Sequence, residues 1–512
     1  MLLIGAVALA AAAAVGYRAA VDPITTTAVM AVAAAFALCL RRARQLPVVF
    51  LGVLGALLVV YALLGKGGAY LNVGGVYVGE LVLAFGILAV LLGGMSPSVF
   101  RSTLTWGILA FGACGALQTI PYIPVYGLDA LRDAVTWAYG VFALLVAGFL
   151  VRTGMLRRVP AHYARWFVWW LPFGVIAVWA IQRYAEPLLP FVPGTRVPIL
   201  NFKSGDAVFH LTGVAAFVLL GLRHRSATPA RLGRLGSDEH GPGWLWWGGW
   251  LAATAIVLAS SRATFLALAA AATVFLLRPT GRVWRPVLLT IIMTLLFFSS
   301  DIEIEVRDGR MLSPQEMLAN VTSVLDNAAP GNRDATKEWR LQWWRDIVGY
   351  TVFGEYFWTG KGFGLNIAVD DGYASGDGLY PLRSPHNGHL TILARSGVPG
   401  MLIWIVLQVG FAVALVRGYW RLRHVDDWWA RVHLWVLACW MAFIVNAAFE
   451  VTIEGPHGGI WFWSLFGFGI AVLEARRGVG SVGRRAVPRP GAATPATRLA
   501  TGAARARTAR VG

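Results

Sequence analysis

The sequence predicts an all-α protein, a polytopic membrane bundle of about fourteen transmembrane helices with one large, mainly helical extracytoplasmic loop. Hydrophobic residues make up 57% of the chain and charged residues 14%, and the mean hydropathy is +0.62. These values exclude an ordinary soluble domain. Apolar runs long enough to cross a bilayer recur along the chain, and charged, Gly or Pro residues separate them.

The apolar runs divide the chain into membrane and non-membrane parts. The predicted spans are 2–15, 25–40, 47–64, 78–92, 104–120, 135–151, 167–184, 207–222, 244–259, 262–277, 286–298, 397–416, 432–449 and 460–473. No Lys or Arg precedes the first run, so we interpret it as a retained helix and not a signal peptide. The resulting units are N-terminal transmembrane helices (1–243), core transmembrane helices (244–299), a cap (300–388), C-terminal transmembrane helices (389–475) and a basic tail (476–512).

The net charge of +18 lies mainly in short loops and in the tail, a distribution that argues against nucleic-acid binding. Alternate loops are rich and poor in Lys and Arg, so both termini are predicted to be cytoplasmic and the cap to face outward. The basic loops also fit contact with anionic membrane lipids. The tail lacks apolar periodicity, and we expect it to be disordered. The three Cys residues lie far apart inside apolar runs, which offers neither a disulfide framework nor a metal motif.

A polar segment from 301 to 385 interrupts the apolar runs and is too long for a structureless connector. Within it, residues 334–349 have helical periodicity. Lys337, Arg340 and Trp344 fall on one side of this helix, while Trp339, Trp343 and Ile347 line a neighbouring face. We predict a helix that lies along the membrane interface and turns its cations toward a polar ligand.

Two short patterns flank this segment. His386-Asn387 is followed, nine residues later, by Gly397-Val398-Pro399-Gly400 at the start of a predicted span. Arg262 is followed after three residues by Leu266 at the start of an earlier span, in SSRATFL. The two glycines are better explained by close helix approach than by ligand binding.

These patterns resemble the O-antigen ligase and O-antigen polymerase family of bacterial membrane glycosyltransferases, whose signature is His-[Asn/Ser/Gln], nine residues, Gly-x-x-Gly. Residues 339–364 (WRLQWWRDIVGYTVFGEYFWTGKGFG) and 446–463 (NAAFEVTIEGPHGGIWFW) are also similar to that family. The resemblance covers roughly residues 245–475 and implies a GT-C-like fold in the bacterial cytoplasmic membrane. It also implies glycan transfer from a polyprenyl diphosphate donor with inversion at the anomeric carbon.

Arg262, Arg340 and Arg383 are the predicted diphosphate ligands. Planar guanidinium groups make bidentate, charge-assisted contacts to phosphate and stay charged at any relevant pH. The alternatives are an interface anchor for Arg262 and a solvated helix face for Arg340. His386 is the candidate general base, because a neutral imidazole can accept the proton of an acceptor hydroxyl. It would otherwise orient a substrate by hydrogen bonding or serve the structure.

Four further residues are candidates for acceptor binding or support: Asn387, His389, Glu454 and Lys203. Glu454 orients an acceptor or forms a salt bridge, and for Lys203 an ion pair with Asp206 is the simpler account. Two His residues without a suitably spaced carboxylate make a weak metal site. We therefore predict no metal and no cofactor, with arginine cations stabilising the leaving diphosphate.

The predicted function is glycan transfer from undecaprenyl diphosphate to an acceptor hydroxyl, on the outer face of the membrane, in surface polysaccharide biosynthesis. The motifs do not separate three acceptors: a lipid-linked saccharide in a ligase, a growing chain in a polymerase, and a protein hydroxyl in an O-oligosaccharyltransferase. Two alternatives of another class are a transporter, such as a lipid-glycan flippase or an anion carrier, and an inactive relative that binds polyprenyl lipids. Transporters commonly contain internal repeats, and we see no repeat between the two halves of this chain.

Overall fold

A computed structural model of the protein describes residues 42–73, 76–223, 243–260, 263–279, 288, 292, 304–307, 310–312, 332–374 and 382–475. Several predictions fall outside these residues. They are Arg262, the spans over 2–15 and 25–40, the span over 286–298 apart from Leu288 and Ile292, and the tail 476–512.

The described part of the chain is mostly helical. Its α-helices are α1 (Leu46–Leu64), α2 (Lys66–Ala69), α3 (Val78–Gly93), α4 (Thr103–Thr119), α5 (Ile123–Tyr126), α6 (Leu128–Ala138), α7 (Gly140–Thr153), α8 (Arg158–Trp166), α9 (Leu171–Tyr184), α10 (Ala207–Leu219), α11 (Trp244–Ser260), α12 (Ala263–Ala272), α13 (Val274–Leu277), α14 (Asn332–Val352), α15 (Ile367–Asp370), α16 (Gly388–Leu422), α17 (Asp427–Ala447) and α18 (Pro456–Ala475). Short 3-10 helices cover Ala43–Gln45, Pro97–Arg101, Ile120–Tyr122, Met155–Arg157, Glu186–Leu188 and Ser204–Asp206.

Two small antiparallel hairpins complete the secondary structure of the described residues. Strand β1 (Asn72–Val73) pairs with β2 (Val76–Tyr77), and β3 (Ile304–Arg307) pairs with β4 (Arg310–Leu312). The second hairpin lies in the long polar segment, where the sequence predicted mainly helix. It was not predicted.

Within the described residues, five helices are long and apolar enough to cross a membrane, and the number rises to seven if each of two bent pairs is one span. The bent pairs are α6 with α7, at 44°, and the 155–166 helix with α9, at 52°. Each span predicted inside the described residues contains an α-helix, which is consistent with a helical membrane protein. The count of about fourteen spans and the GT-C-like fold remain predictions.

The core is built around α17, which packs against α10, α12, α16 and α18. Every residue of α10 is buried, and Trp463 and Phe466 of α18 are almost fully enclosed. Helix α18 also lies close to α7, where a Cβ on Gly467 would come within 2.4 Å of the Ala143 carbonyl oxygen. A small residue at this position therefore permits the close backbone approach that membrane helices use.

Helix α16 begins at Gly388, and a break at Gly397 marks the residue at which the span was predicted to start. Gly397 lies inside the helix as a kink with φ +65°. Pro399 has no N–H for the carbonyl of Arg395, and Gly362 N donates to this carbonyl instead at 3.1 Å. Likewise Lys361 N donates to Ala394 O at 2.7 Å, and Val398 N to Phe357 O at 2.8 Å. The loop 357–362 thus supplies the hydrogen-bond partners that the kinked helix lacks.

Helix α14 confirms the helix predicted over 334–349. Trp343 and Ile347, placed on one face by the sequence, are fully buried in a cluster with Leu393 and Ala394 of α16. The Trp343 indole N–H donates to Asp371 Oδ2 at 2.6 Å. The face that the sequence predicted as apolar therefore docks α14 onto the first turns of α16.

Candidate active site

His386 lies at the junction between the long polar segment and α16. Its φ of +53° is left-handed, which is uncommon for a residue with a Cβ. Asn387 then caps α16, and its side chain accepts from His389 N and Leu390 N, each at 3.1 Å. The predicted acceptor-binding side chain of Asn387 is thus engaged in capping, which holds the start of the helix directly after His386.

The imidazole of His386 is kept neutral by its surroundings. Burial, followed by the positive charges of Arg340 and Lys203, lowers the pKa of His386 to about 4. Among the described residues, its Nδ1 atom is buried without a hydrogen-bond partner. A neutral imidazole beside two cations is suited to accept a proton once an anion lies between them.

Arg340 and Lys203 reach this site from distant parts of the chain. Lys203 Nζ lies 3.7 Å from Glu450 Oε2. Burial raises the pKa of Glu450, and the charges of Lys203 and Arg340 oppose that shift. The two cations therefore act on both His386 and Glu450, and the four residues form one electrostatic cluster.

Lys203 forms its salt bridge with Glu450 and not with Asp206, the expected partner, although the charge of Lys203 still acts on Asp206. Asp206 instead lies 3.0 Å from Nε2 of His457 and accepts from Thr452 at 3.3 Å. Lys203 is consequently directed toward Glu450 and the electrostatic cluster of His386.

Arg383 lies three residues before His386, but its guanidinium already has protein partners. Nη2 donates to Asp133 Oδ2 at 3.2 Å and to the Gly364 carbonyl at 3.1 Å. The same carboxylate oxygen lies 2.9 Å from Arg395 and accepts from Gly364 N at 3.0 Å. Diphosphate binding by Arg383 stays a prediction, and its observed role is to tie the segment before His386 to α6.

His389 has a structural environment. Its Nδ1 atom accepts from the Trp404 indole at 3.1 Å, so Nε2 carries the proton and donates to Ile444 O at 2.9 Å. Both ring nitrogens are occupied, and the side chain links α16 to α17. These contacts favour the supporting role proposed for His389.

Glu454 lies beside the first turn of α16. Its Oε1 atom is 2.9 Å from the Thr391 hydroxyl, and its carboxyl also interacts with Ser384. Burial raises the pKa of Glu454 to about 6, although Thr391, Arg395 and Ser384 act in the opposite direction. The residue supports the segment that carries His386.

Comparison with protein families bears on the central part of this site. A family model described as O-Antigen ligase matches residues 247–405. The resemblance to the O-antigen ligase family is therefore confirmed for this part of the chain. No curated protein matches the chain. The match supports a glycan-transferring enzyme of surface polysaccharide biosynthesis that acts on lipid-linked glycan and acceptor substrates.

The O-antigen ligase region, residues 247–405, contains Arg262, Arg340, Arg383 and His386. Lys203, Glu450 and Glu454 lie outside it, yet the fold brings them to the same site. Arg262 is outside the described residues, so its place relative to His386 is a prediction.

Two site-building residues were missed by the sequence analysis. Asp133 gives no local signal, because the partners of its Oδ2 atom are 231 to 262 residues away in the chain. Arg395 did give a local signal, since an ionisable residue inside an apolar run is energetically costly unless it is paired with another polar group. The O-antigen ligase region thus depends on a carboxylate from the N-terminal part of the protein.

Proposed function

We propose that the protein transfers a glycan from undecaprenyl diphosphate to an acceptor hydroxyl on the outer face of the bacterial cytoplasmic membrane. The observation that carries this proposal is the half-buried His386, whose pKa is lowered by burial and by the charges of Arg340 and Lys203, inside a region that matches the O-antigen ligase family. Arg340 and Arg262 hold the diphosphate, and Lys203 adds positive charge to the same site.

The bound donor changes the basicity of His386. In the absence of a donor, burial and the two cations disfavour the imidazolium form. A diphosphate carries negative charge that offsets both cations, so its binding raises the pKa of the imidazole toward its ordinary value. His386 is thereby a stronger base when the donor is present. In the empty site its lowered pKa limits proton uptake.

The transfer itself is a single displacement. The acceptor oxygen attacks the anomeric carbon, and its proton passes to His386. The bond between that carbon and the diphosphate oxygen breaks, and the electron pair leaves with undecaprenyl diphosphate. Attack from the face opposite the leaving group inverts the configuration. Guanidinium groups stabilise the charge on the leaving diphosphate, and no metal ion is required in this scheme.

The test uses the full-length protein in lipid nanodiscs with a polyprenyl diphosphate glycan and three classes of acceptor: a lipid-linked saccharide, a second donor chain and a hydroxyl-bearing peptide. His386→Ala is expected to lose transfer by about a hundredfold or more, the usual contribution of a general base. The exposed His424, at the other end of α16, provides the control His424→Ala, which should transfer at the wild-type rate.

Full transfer by His386→Ala contradicts the role assigned to the imidazole, and loss of wild-type transfer on chelation contradicts the metal-free scheme. If the wild-type protein transfers to none of the acceptors but moves the lipid-linked glycan across a vesicle membrane, the protein is a transporter and the proposal is wrong.

A further inference from the structure

We propose that Trp344 is the positioning residue of His386. This inference rests on the proposed function, in which His386 accepts the proton of the acceptor. Trp344 lies one turn after Arg340 on α14, and its role is to hold the peptide that precedes the histidine in one orientation.

The direct contact is a hydrogen bond from the Trp344 indole to the Pro385 carbonyl, 2.9 Å long. That carbonyl belongs to the peptide unit between Pro385 and His386, and the plane of this unit determines the φ angle of His386. A hydrogen bond from the indole to this carbonyl therefore restrains the φ angle of His386, which sets the direction of the imidazole.

The restraint matters because His386 has an unfavourable backbone conformation. Its φ is +53°, and left-handed geometry costs roughly 1 to 2 kcal/mol for a residue with a Cβ. Such a conformation persists where the surroundings hold it in place. Without the indole hydrogen bond, the Pro385–His386 peptide is expected to rotate toward a right-handed or extended conformation, and the imidazole would move with it.

The residues around His386 are held from several directions. Ser384 interacts with Glu454, and Asn387 caps α16. Trp344 adds a contact from α14, which also carries the Arg340 charge that acts on His386. Since Trp343 and Ile347 anchor α14 in a buried cluster, one docked helix sets both the electrostatic environment and the orientation of the histidine.

The indole N–H can be separated from the ring that bears it. The ring centroid of Trp344 lies 6.4 Å from that of Phe449. Trp344→Phe keeps an aromatic ring at this place but removes the indole N–H group. Trp339→Phe is the matched control on the same helix, because the Trp339 ring packs on Trp343 and Tyr373. Both variants lose one indole, and Trp344→Phe also loses the hydrogen bond to Pro385.

The experiment measures kcat, the donor KM and the thermal midpoint for both variants in nanodiscs with a polyprenyl diphosphate glycan donor. Trp344→Phe is expected to lower kcat about tenfold, with donor KM and thermal midpoint near wild type, because a small misplacement of a catalytic group reduces the rate of chemistry. Trp339→Phe should match the wild type in all three quantities. Wild-type kcat in Trp344→Phe, an equal loss in Trp339→Phe, or a loss of kcat accompanied by a falling thermal midpoint each overturns the proposal.

If Trp344→Phe does not fold, a second variant carries the test. Replacement of Trp344 by its benzothienyl analogue, which has sulfur in place of the N–H group, keeps the size and shape of the ring. The same tenfold loss of kcat supports the positioning role, and an unchanged kcat refutes it.

His386→Ala in the same panel separates the two proposals. Full transfer by His386→Ala contradicts the proposed function and with it the role of Trp344. An inactive His386→Ala together with a fully active Trp344→Phe contradicts the positioning role alone.

Discussion

The guanidinium of Arg395 lies 2.9 Å from Asp133 Oδ2, and 262 residues of sequence separate the two. Both side chains are buried, with 4% and 9% of their surfaces exposed. Arg395 also donates to the carbonyls of Gly362 and Leu365 at 3.2 and 3.3 Å. One pair thus joins α6, the loop after α14 and the first turns of α16, which begin two residues after His386.

Asp133→Asn is expected to destabilise the protein by about 3 to 5 kcal/mol, because it removes the carboxylate paired with the buried Arg395 and leaves only the longer-range charge interaction with Glu454. The free energy of unfolding is measured in detergent by denaturant titration. Asp129→Asn is the matched control on the same helix, since Asp129 is 49% exposed and 3.8 Å from Arg383. The loss of unfolding free energy in Asp129→Asn should stay below about 1 kcal/mol. Equal effects of the two substitutions would show that the Asp133–Arg395 pair contributes no special stability.

Local sequence patterns predicted the parts of the site that depend on neighbours in the chain. The spacing of Trp339, Trp343 and Ile347 identified the face of α14 that docks, since helical periodicity reflects burial. The His386 motif located the junction at the start of α16, and the O-antigen ligase match covers that motif.

The remaining contacts depend on tertiary structure. The GVPG sequence was interpreted as a place of close helix approach at the start of a span, and it does not reveal that Gly362 N and Lys361 N donate to the carbonyls of Arg395 and Ala394. Similarly, Lys203 has acidic neighbours both in sequence and in space, and the fold selects Glu450 for its ion pair. Patterns of single segments contain no information on such pairings, because they arise when distant segments pack.

The pKa of His386 should respond to the charge of Arg340. Removal of a nearby positive charge favours the imidazolium form, so Arg340→Gln is expected to raise the pKa of His386 from about 4 toward its ordinary value. The shift is measured in the absence of donor by NMR titration of protein labelled with ¹³C-histidine, with the His386 signal assigned from His386→Ala. This readout does not depend on donor binding by Arg340.

Arg345→Gln is the control for that titration. Arg345 is exposed on the same helix, five residues after Arg340, and it does not contribute to the lowered pKa of His386. Its substitution should leave the titration unchanged. A shift of the same size in both variants would indicate a general effect of net charge and contradict a local interaction of Arg340 with His386.

Glu454 is expected to make stability fall as the pH rises. Burial raises its pKa in the folded protein to about 6 from an ordinary value of 4.5. Between these two values the folded state holds more protons than the unfolded state, so each step toward higher pH favours unfolding. Glu454→Gln should flatten this part of the profile of thermal midpoint against pH, because glutamine does not titrate. The exposed Glu355 provides the control Glu355→Gln, which should keep the wild-type slope. An unaltered slope in Glu454→Gln would refute the assignment.

Gly397→Ala should disrupt the kink in α16. The new Cβ would lie 2.5 Å from the Phe357 carbonyl oxygen, and the φ of +65° is unfavourable for alanine by about 1 to 2 kcal/mol before that contact is counted. The loop 357–362 must move to relieve the contact, which removes the hydrogen bonds that satisfy the carbonyls of Ala394 and Arg395. We expect a loss of more than about 2 kcal/mol in unfolding free energy, together with reduced transfer.

Gly410→Ala in the same helix is the control, because its Cβ would meet Leu104 at an ordinary 3.6 Å. That change should be neutral or stabilise the helix by up to about 1 kcal/mol. If both substitutions are tolerated equally, the conformation at Gly397 does not hold the loop against α16.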